Sequence, residues 1–317
     1  MKEKLIVFTF PFSPMLSVIR DGCELPNVEF IVIEDNRNIL VRILSVVFLF
    51  FKMYSLALLC MTNKEKYNEI RKICKNSDQS FLFWSSDYTK HWITISKLFN
   101  AKAKYCFSWG PIEESAHLSR KLFFINKAKK MGIRFFTMNP FDAKKYDMVL
   151  TSQVYRKKWN FAQSVENSDF FFLGKTKGRD IVLKRLEEIL KTKQYKVNFQ
   201  LYEDLPKQFV TFEEYIKQTV SCRCIVDVVA QKYNQNGLTL RPLEALFFKK
   251  KLLTTCKELK EYDFYHPDNI FTIDFDEPSL DGIDEFMKKP FHEIDEKIID
   301  QYDVNHWLKR YFMDGVN

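Results

Sequence analysis

Short β-like runs and helix-like runs alternate along almost the whole chain. That alternation limits the fold more than any single motif does. In the first half the strand candidates are Leu5–Phe10, Glu29–Ile33, Phe81–Trp84, Lys104–Phe107, Ile133–Met138 and Met148–Leu150. Helix-like stretches stand between them near Ile39–Leu59, Lys64–Lys75, Tyr88–Phe99, Glu114–Lys130 and Pro140–Lys145. Parallel strands need a crossover connection, so repeated β-then-α order predicts a parallel sheet with helices on both faces. A polar break, "TSQVYRKKWNFAQSVENSD", occupies Thr151–Asp169, and then the alternation restarts. Strands are expected at Phe170–Leu173, Val197–Tyr202, Cys224–Val229, Leu252–Thr255 and Ile270–Asp274. Helices are expected at Gly178–Lys191, at Thr211–Gln218 with Thr211 as N-cap, at Leu240–Phe248 and briefly at Lys257–Tyr262. The tail from Ser279 to Phe312 reads as helical. The chain is therefore read as two consecutive doubly wound α/β domains, 1–155 and 165–295, with a closing helix at 296–317. Domains of this kind bind ligands at the carboxyl ends of their strands, in a cleft.

Composition agrees with that reading. The 317 residues are 46% hydrophobic and 28% charged, with only eight glycines and ten prolines, which suits globular domains and excludes a disordered chain. The net charge of +8 favours anionic partners: nucleic acid, acidic lipid or phosphorylated small molecules. The lysines are spread out, whereas a nucleic-acid reader concentrates them in a patch. Seven cysteines without a CxxC or a nearby Cys/His pair read as reduced thiols rather than a zinc site. The opening "MKEKLIVFTF" reads as a first strand. The apolar segment Ile39–Met61 is interrupted by Arg42 and Lys52. It is too broken to span a bilayer, and two readings stay open: a buried or groove-covering helix, or one lying on a membrane surface.

The chemistry concentrates in "QNGLTLRPLEALFFKKKLLTT", Gln235–Thr255, which lies between two expected strands and so forms one βαβ unit. Gly237 frees the backbone, Thr239 is placed to cap the helix, and Pro242 fits its first turn. The free N–H groups of Gly237, Leu238 and Thr239, with the helix dipole, would make an anion seat. Arg241 stands beside that seat, and Glu244, three residues on, shares its face. Glu244 could accept the hydroxyls of a ribose; a plain ion pair between Arg241 and Glu244 is the alternative from spacing alone. Lys249, Lys250 and Lys251 follow the helix end. No GxGxxG, P-loop, HExxH or GxSxG occurs.

The order "CIVDVV", "GLTLRPLEAL", "KKLLTT", "YDFYHPDNIFTID" resembles bacterial glycosyltransferases of the GT-B fold, in particular those that build lipopolysaccharide and capsular polysaccharide. The resemblance covers Phe170–Asp274. It implies two Rossmann-like doubly wound domains facing a cleft, with the C-terminal helix crossing back to the first. It also implies Arg241 on the donor diphosphate and Glu244 on the donor ribose, with Asp227 ending the preceding strand and Asn269 in a later loop. "FFFLGKTKGRD" is similar to the family's entry into the second domain, which would put Gly174, Lys175 and Arg179 beside the phosphates. Read without the resemblance, Lys175–Arg179 is a basic loop after a strand.

Transfer of a sugar from a nucleotide-sugar donor needs charge stabilisation on the leaving diphosphate. Arg241, Lys175 and the Gly237–Thr239 amides are the groups expected to supply it, with no metal and no further cofactor. An inverting enzyme also needs a base, expected at the strand ends of the first domain. Asp87 and Glu113 lead that group, ahead of His91, Glu114 and Asp35. Asp274 and Asp276 have a metal-chelating spacing but read as an acidic turn. Trp109 is a candidate platform for an acceptor sugar. The expected partners are a nucleotide-sugar and a saccharide acceptor, lipid-linked, met on the cytoplasmic face of a membrane, and not nucleic acid. A nucleotide-sugar epimerase of the same fold and a non-catalytic basic binding module are the competing readings.

Overall fold

The computed structural model describes all residues except 1–3, 12–13, 35–37, 86, 88, 116, 160–165, 203–209, 231–237 and 315–317. The chain divides into two compact units: Met1–Ser152 with Trp307–Asn317, and Gln153–His306. Each is an α/β unit around one all-parallel sheet.

In the first unit the order is β1 (Lys4–Thr9), α1 (Pro14–Gly22), β2 (Val28–Val32), α2 (Ile39–Phe50), α3 (Tyr54–Met61), α4 (Lys64–Ile73), β3 (Gln79–Trp84), α5 (Thr89–Leu98), β4 (Lys104–Ser108), α6 (Leu118–Lys129), β5 (Arg134–Thr137), α7 (Pro140–Lys145) and β6 (Val149–Leu150). The strands lie in the order β2-β1-β3-β4-β5-β6. Winding reverses between β1 and β3. β3 is buried at all six positions, the unbroken apolar pattern of a strand covered on both faces. Phe83 stacks on Trp92 of α5 at 5.1 Å, with Phe8 and Phe81 packed beside them. Asn63 and Asn139 cap α4 and α7 by accepting from Lys66 N and Phe141 N.

The second unit runs β7 (Ser168–Lys175), α8 (Asp180–Thr192), β8 (Val197–Tyr202), α9 (Phe212–Val220), β9 (Cys222–Asp227), α10 (Leu240–Phe247), β10 (Lys251–Thr254), β11 (Ile270–Thr272), α11 (Ile283–Lys288) and α12 (Glu296–Tyr302). Its sheet order is β11-β10-β9-β7-β8, so winding reverses between β7 and β9. Phe170, Phe172, Leu183, Leu186, Val226 and Ile283 build its core. Thr211 caps α9 by accepting from Glu214 N at 3.1 Å.

Two local features differ from the sequence reading. The stretch expected as one helix, Ile39–Leu59, is two: Lys52 takes a left-handed backbone (φ 58°) and ends α2 before α3 begins. The closing stretch is not one helix either. α12 groups with the second unit, α13 (Val304–Leu308) follows, and the chain rejoins the first unit at Trp307. There Trp307 is fully buried against Phe107 (5.0 Å) and Trp84 (6.0 Å), and its indole N–H donates to Ser152 O. Phe312 packs on Phe136. No helix among the described residues is long and apolar enough to cross a membrane.

Candidate functional site

The carboxyl ends of β7 and β9 diverge at the winding reversal of the second unit, where an open α/β sheet leaves room for a ligand. Four of the residues singled out from the sequence meet there. β7 delivers Gly174 and Lys175, the first turn after it delivers Arg179, and α10 delivers Arg241. Arg241 donates from Nη2 to Leu173 O at 2.8 Å and approaches Asp227 with Nη1 at 3.5 Å. Arg179 donates from Nε to Lys175 O at 3.1 Å and from Nη1 to Val228 O at 2.7 Å. Both guanidiniums lie over the ring of Phe172, with their carbons 4.8 Å (Arg179) and 4.6 Å (Arg241) from its centroid.

Gly174 lies where the two cations converge. A Cβ added there would stand 3.0 Å from Arg241 Nη2 and 3.1 Å from Arg179 Nη2. The glycine thus lets the two guanidiniums approach closely, and its φ plays no part. Burial first, and the neighbouring Arg241 second, push Arg179 down to about 10, which leaves it charged at neutral pH. Burial also opposes the charge of Arg241, but Tyr215, Asp227 and Glu244 outweigh that and hold its pKa up. Two guanidiniums and Lys175 thus share one sheet edge with the buried carboxylate of Asp227. The local balance is positive and the fixed forks suit phosphate oxygens.

Asp227 organises this edge. Its Oδ2 accepts from the hydroxyls of Thr239 (3.2 Å) and Thr254 (3.3 Å), while Oδ1 faces Arg241. Thr239 does stand at the N-cap position of α10, but its hydroxyl donates to Asp227 and caps nothing. The first turn of α10 therefore has no side-chain cap from Thr239. Leu238 is buried, and its carbonyl accepts from Gln153 Nε2 at 2.9 Å. Gly237 lies outside the described residues.

Glu244 is fully buried. Its Oε2 accepts from Tyr215 Oη at 2.6 Å, and its Oε1 has no hydrogen-bond partner among the described residues. No ion pair joins it to Arg241 among the described residues; Arg241 is turned to Asp227 instead. Burial lifts the Glu244 carboxyl to about 7, against the lowering effects of Tyr215 and Arg241. A buried acceptor without a donor costs about 1–3 kcal/mol, which a ligand hydroxyl could recover. Tyr155 is also buried, and its Oη has no hydrogen-bond partner among the described residues; burial first, and Glu244 second, raise its pKa.

In the first unit, Asp87 and Glu113 lie just beyond the carboxyl ends of β3 and β4. Asp87 is exposed and pairs with Lys121 at 2.7 Å. It follows Ser85, whose φ of 83° is a strained backbone for a residue with a side chain. Glu113 accepts from Lys145 and from Tyr146 Oη, and the Lys145 bond, ahead of the others, holds it below the ordinary carboxylate range. Asp142, which no sequence motif marks, stands near Glu113. It is fully buried, accepts from Ile112 N at 2.8 Å, and has its other oxygen unbonded among the described residues. Burial raises its pKa, with the Ile112 bond opposing. His91 is buried against Phe10, Glu114 sits in the short turn after β4, and Asp35 lies outside the described residues. Trp109 stacks on Trp84 at 6.2 Å.

The remaining motifs have local structural roles. Asp274 pairs with Lys257 and accepts from Asp276 N within its own turn. Asn269 clasps the His292 backbone from both ends of its amide. The contacts that sequence spacing could not reveal are Tyr215 on Glu244 and Phe172 beneath both arginines. Their only trace in the sequence is an aromatic at each of two element positions, and that is too common a signal to single out.

No protein-family model matches the chain, and no curated protein matches it. Among solved structures it is similar to the apo form of the lipopolysaccharide outer core galactosyltransferase WaaB, with a TM-score of 0.41 and 13% identity over 97% of this chain and 96% of that one. It is also similar to Anabaena Alr3699/HepE in complex with UDP, with a TM-score of 0.29 and 9% identity over 97% of this chain and 98% of that one.

Proposed function

We propose that this chain is a glycosyltransferase of the GT-B type that moves a sugar from a nucleotide-sugar donor to a saccharide acceptor. One observation carries the reading: Arg179 and Arg241 converge on Gly174 at a parallel-sheet switch point, beside a buried glutamate with one oxygen unsatisfied among the described residues. That set pairs a cationic seat with an acceptor for a sugar hydroxyl. When the glycosidic bond to the diphosphate breaks, negative charge develops on the departing phosphate oxygens. Arg241, Arg179 and Lys175 face that charge, and their preset positions avoid reorganisation at the moment of transfer. Their charge can do what a divalent ion does elsewhere, so the reading calls for no metal. Leu238 and Thr239 would add main-chain N–H groups at the mouth of α10; Gly237, expected beside them, lies outside the described residues.

The first unit is assigned the acceptor. The proton-accepting role is assigned to Asp87, which is exposed beyond β3, while Glu113 is engaged by both Lys145 and Tyr146. The acceptor is proposed to be lipid-linked, in bacterial surface polysaccharide synthesis, with the enzyme peripheral on the cytoplasmic face of the membrane.

The test is a thermal-shift panel of UDP, GDP, CMP and dTDP with their sugars. A ligand at about 100 times its Kd stabilises the folded state by about 2.7 kcal/mol. One nucleotide diphosphate should raise Tm in the wild type and fail to do so in Arg241→Ala. No response to any of them would end the reading. Turnover of the sugar nucleotide without an acceptor would convert it to an epimerase.

A further inference from the structure

Helix α2 turns its surface the opposite way to an ordinary packed helix. A helix on a domain buries its apolar side and shows its polar side to water. In α2 the hydroxyl-bearing Ser45 is buried, while Ile39 and Leu40 are each 70% exposed and Phe50 is 80% exposed. Ile43 and Val47 lie between them and are exposed as well. At 100° per residue, the exposed side chains from Ile39 to Phe51 cover an arc of about 160° with no polar residue in it. Isolated exposed apolar side chains are common, but a contiguous helical face of them marks a contact surface.

The charges say what the contact is. Between Asn38 and Asn63 the sequence holds no carboxylate, and its only charged residues are Arg42 and Lys52, both basic. Two copies of the chain meeting through this face would bring four cations together with no acid from the segment to offset them. An anionic lipid surface offsets them and takes up the apolar arc as well. Length decides the orientation. The twelve residues of α2 span about 18 Å, against about 30 Å for the hydrocarbon core of a bilayer. The helix can therefore lie in the interface but cannot cross it.

We infer that α2 is a membrane-seating helix: its exposed arc enters the headgroup–acyl boundary of an anionic bilayer, and the exposed Lys52 at its end meets the headgroups. This deepens the lipid-linked acceptor of the proposed function and rests on that reading only for its purpose. The surface argument itself is independent of the donor site.

Co-sedimentation of the full chain with vesicles decides it. Wild type should sediment with mixed phosphatidylglycerol–phosphatidylcholine vesicles, and more weakly with phosphatidylcholine alone. Ile43→Glu with Phe50→Glu should lower that partition by at least about tenfold, since charges then stand in the apolar arc. Both side chains are exposed, so Tm should hold, which separates lost binding from lost folding. Lys52→Glu should remove the preference for phosphatidylglycerol and keep the weaker binding to neutral vesicles. Equal sedimentation of wild type and the double variant overturns the inference. So does a wild-type dimer in light scattering that Phe50→Glu dissociates while neither form binds vesicles. The nucleotide-induced Tm shift, measured on the same proteins, keeps the two readings apart. Loss of vesicle binding with that shift intact refutes only the membrane helix, and a missing shift with vesicle binding intact refutes only the donor site.

Discussion

Glu244 offers a measurable consequence of burying a carboxylate at the base of a cationic site. Its pKa moves from 4.5 to about 7 on folding, with burial as the largest cause. Each unit of such a difference corresponds to about 1.4 kcal/mol, so ionisation in place costs the fold about 3 kcal/mol. The sign follows from which state holds the proton. Below about pH 4.5 both states hold it and no cost arises. Between there and about pH 7 the unfolded chain has released its proton and the folded chain has not, so stability falls as pH rises. Above about pH 7 the whole cost is in place. Glu244→Gln keeps the shape and the acceptor for Tyr215 Oη, but it never ionises. Relative to wild type, its stability should therefore rise by about 3 kcal/mol between about pH 4 and pH 8, or on the order of 6–12 °C in Tm for a unit of this size. Thermal melts of both proteins across that range measure it. A ligand hydroxyl donating to Oε1 favours the ionised form, so wild-type affinity for the nucleotide diphosphate should climb about 30-fold from about pH 5.5 to 8.5 relative to the variant. Melting temperatures that run parallel across the range, with matching affinity profiles, would refute the burial argument and the ribose role together.

Three further substitutions probe the same site. Tyr215→Phe removes the donor to Oε2, leaving both Glu244 oxygens unbonded; above about pH 7 it should cost about 1–3 kcal/mol in urea denaturation, and the midpoint of the pH-dependent nucleotide affinity should move upward. Gly174→Ala places a Cβ against both guanidiniums, so nucleotide affinity by calorimetry should fall by about tenfold, or about 1.4 kcal/mol; an unchanged Kd would show that the two arginines do not set the seat. Arg241→Lys cannot hold Leu173 O and face Asp227 at once, and a loss of about 1.5–3 kcal/mol in nucleotide binding is expected, with full retention of binding as the refuting result.

The fold was legible because parallel strands carry their own signal. Val197–Tyr202 matches β8 residue for residue, and the other strands differ at their ends by at most two residues. Apolar runs bounded by polar turns mark buried strands, whereas their ends depend on backbone pairing that a side-chain pattern does not encode. The break in Ile39–Leu59 escaped notice because Lys52 adopts a left-handed backbone without a glycine to announce it. At the site, the Arg241–Glu244 spacing drew attention to two side chains that the structure brings near one another but sends to different partners. Arg241 turns to Asp227, fourteen residues earlier, and Glu244 to Tyr215, twenty-nine earlier. Helical periodicity reports which residues share a face, while their partners are set by how that face meets other elements. Asp142 stayed hidden for the same reason, since its bond to Ile112 N spans thirty positions.

The late return of the chain to the first unit also orders events during synthesis. Trp307 fills the space beside Trp84 and Phe107, and Tyr311 accepts from Ser152 N. Those partners leave the ribosome long before the side chains that cover them, with the whole of Gln153–His306 made in between. Domains emerging in sequence ordinarily mature in that order. Here the segment translated first is sealed last, and until then Trp84 and Phe107 lack the indole that covers them.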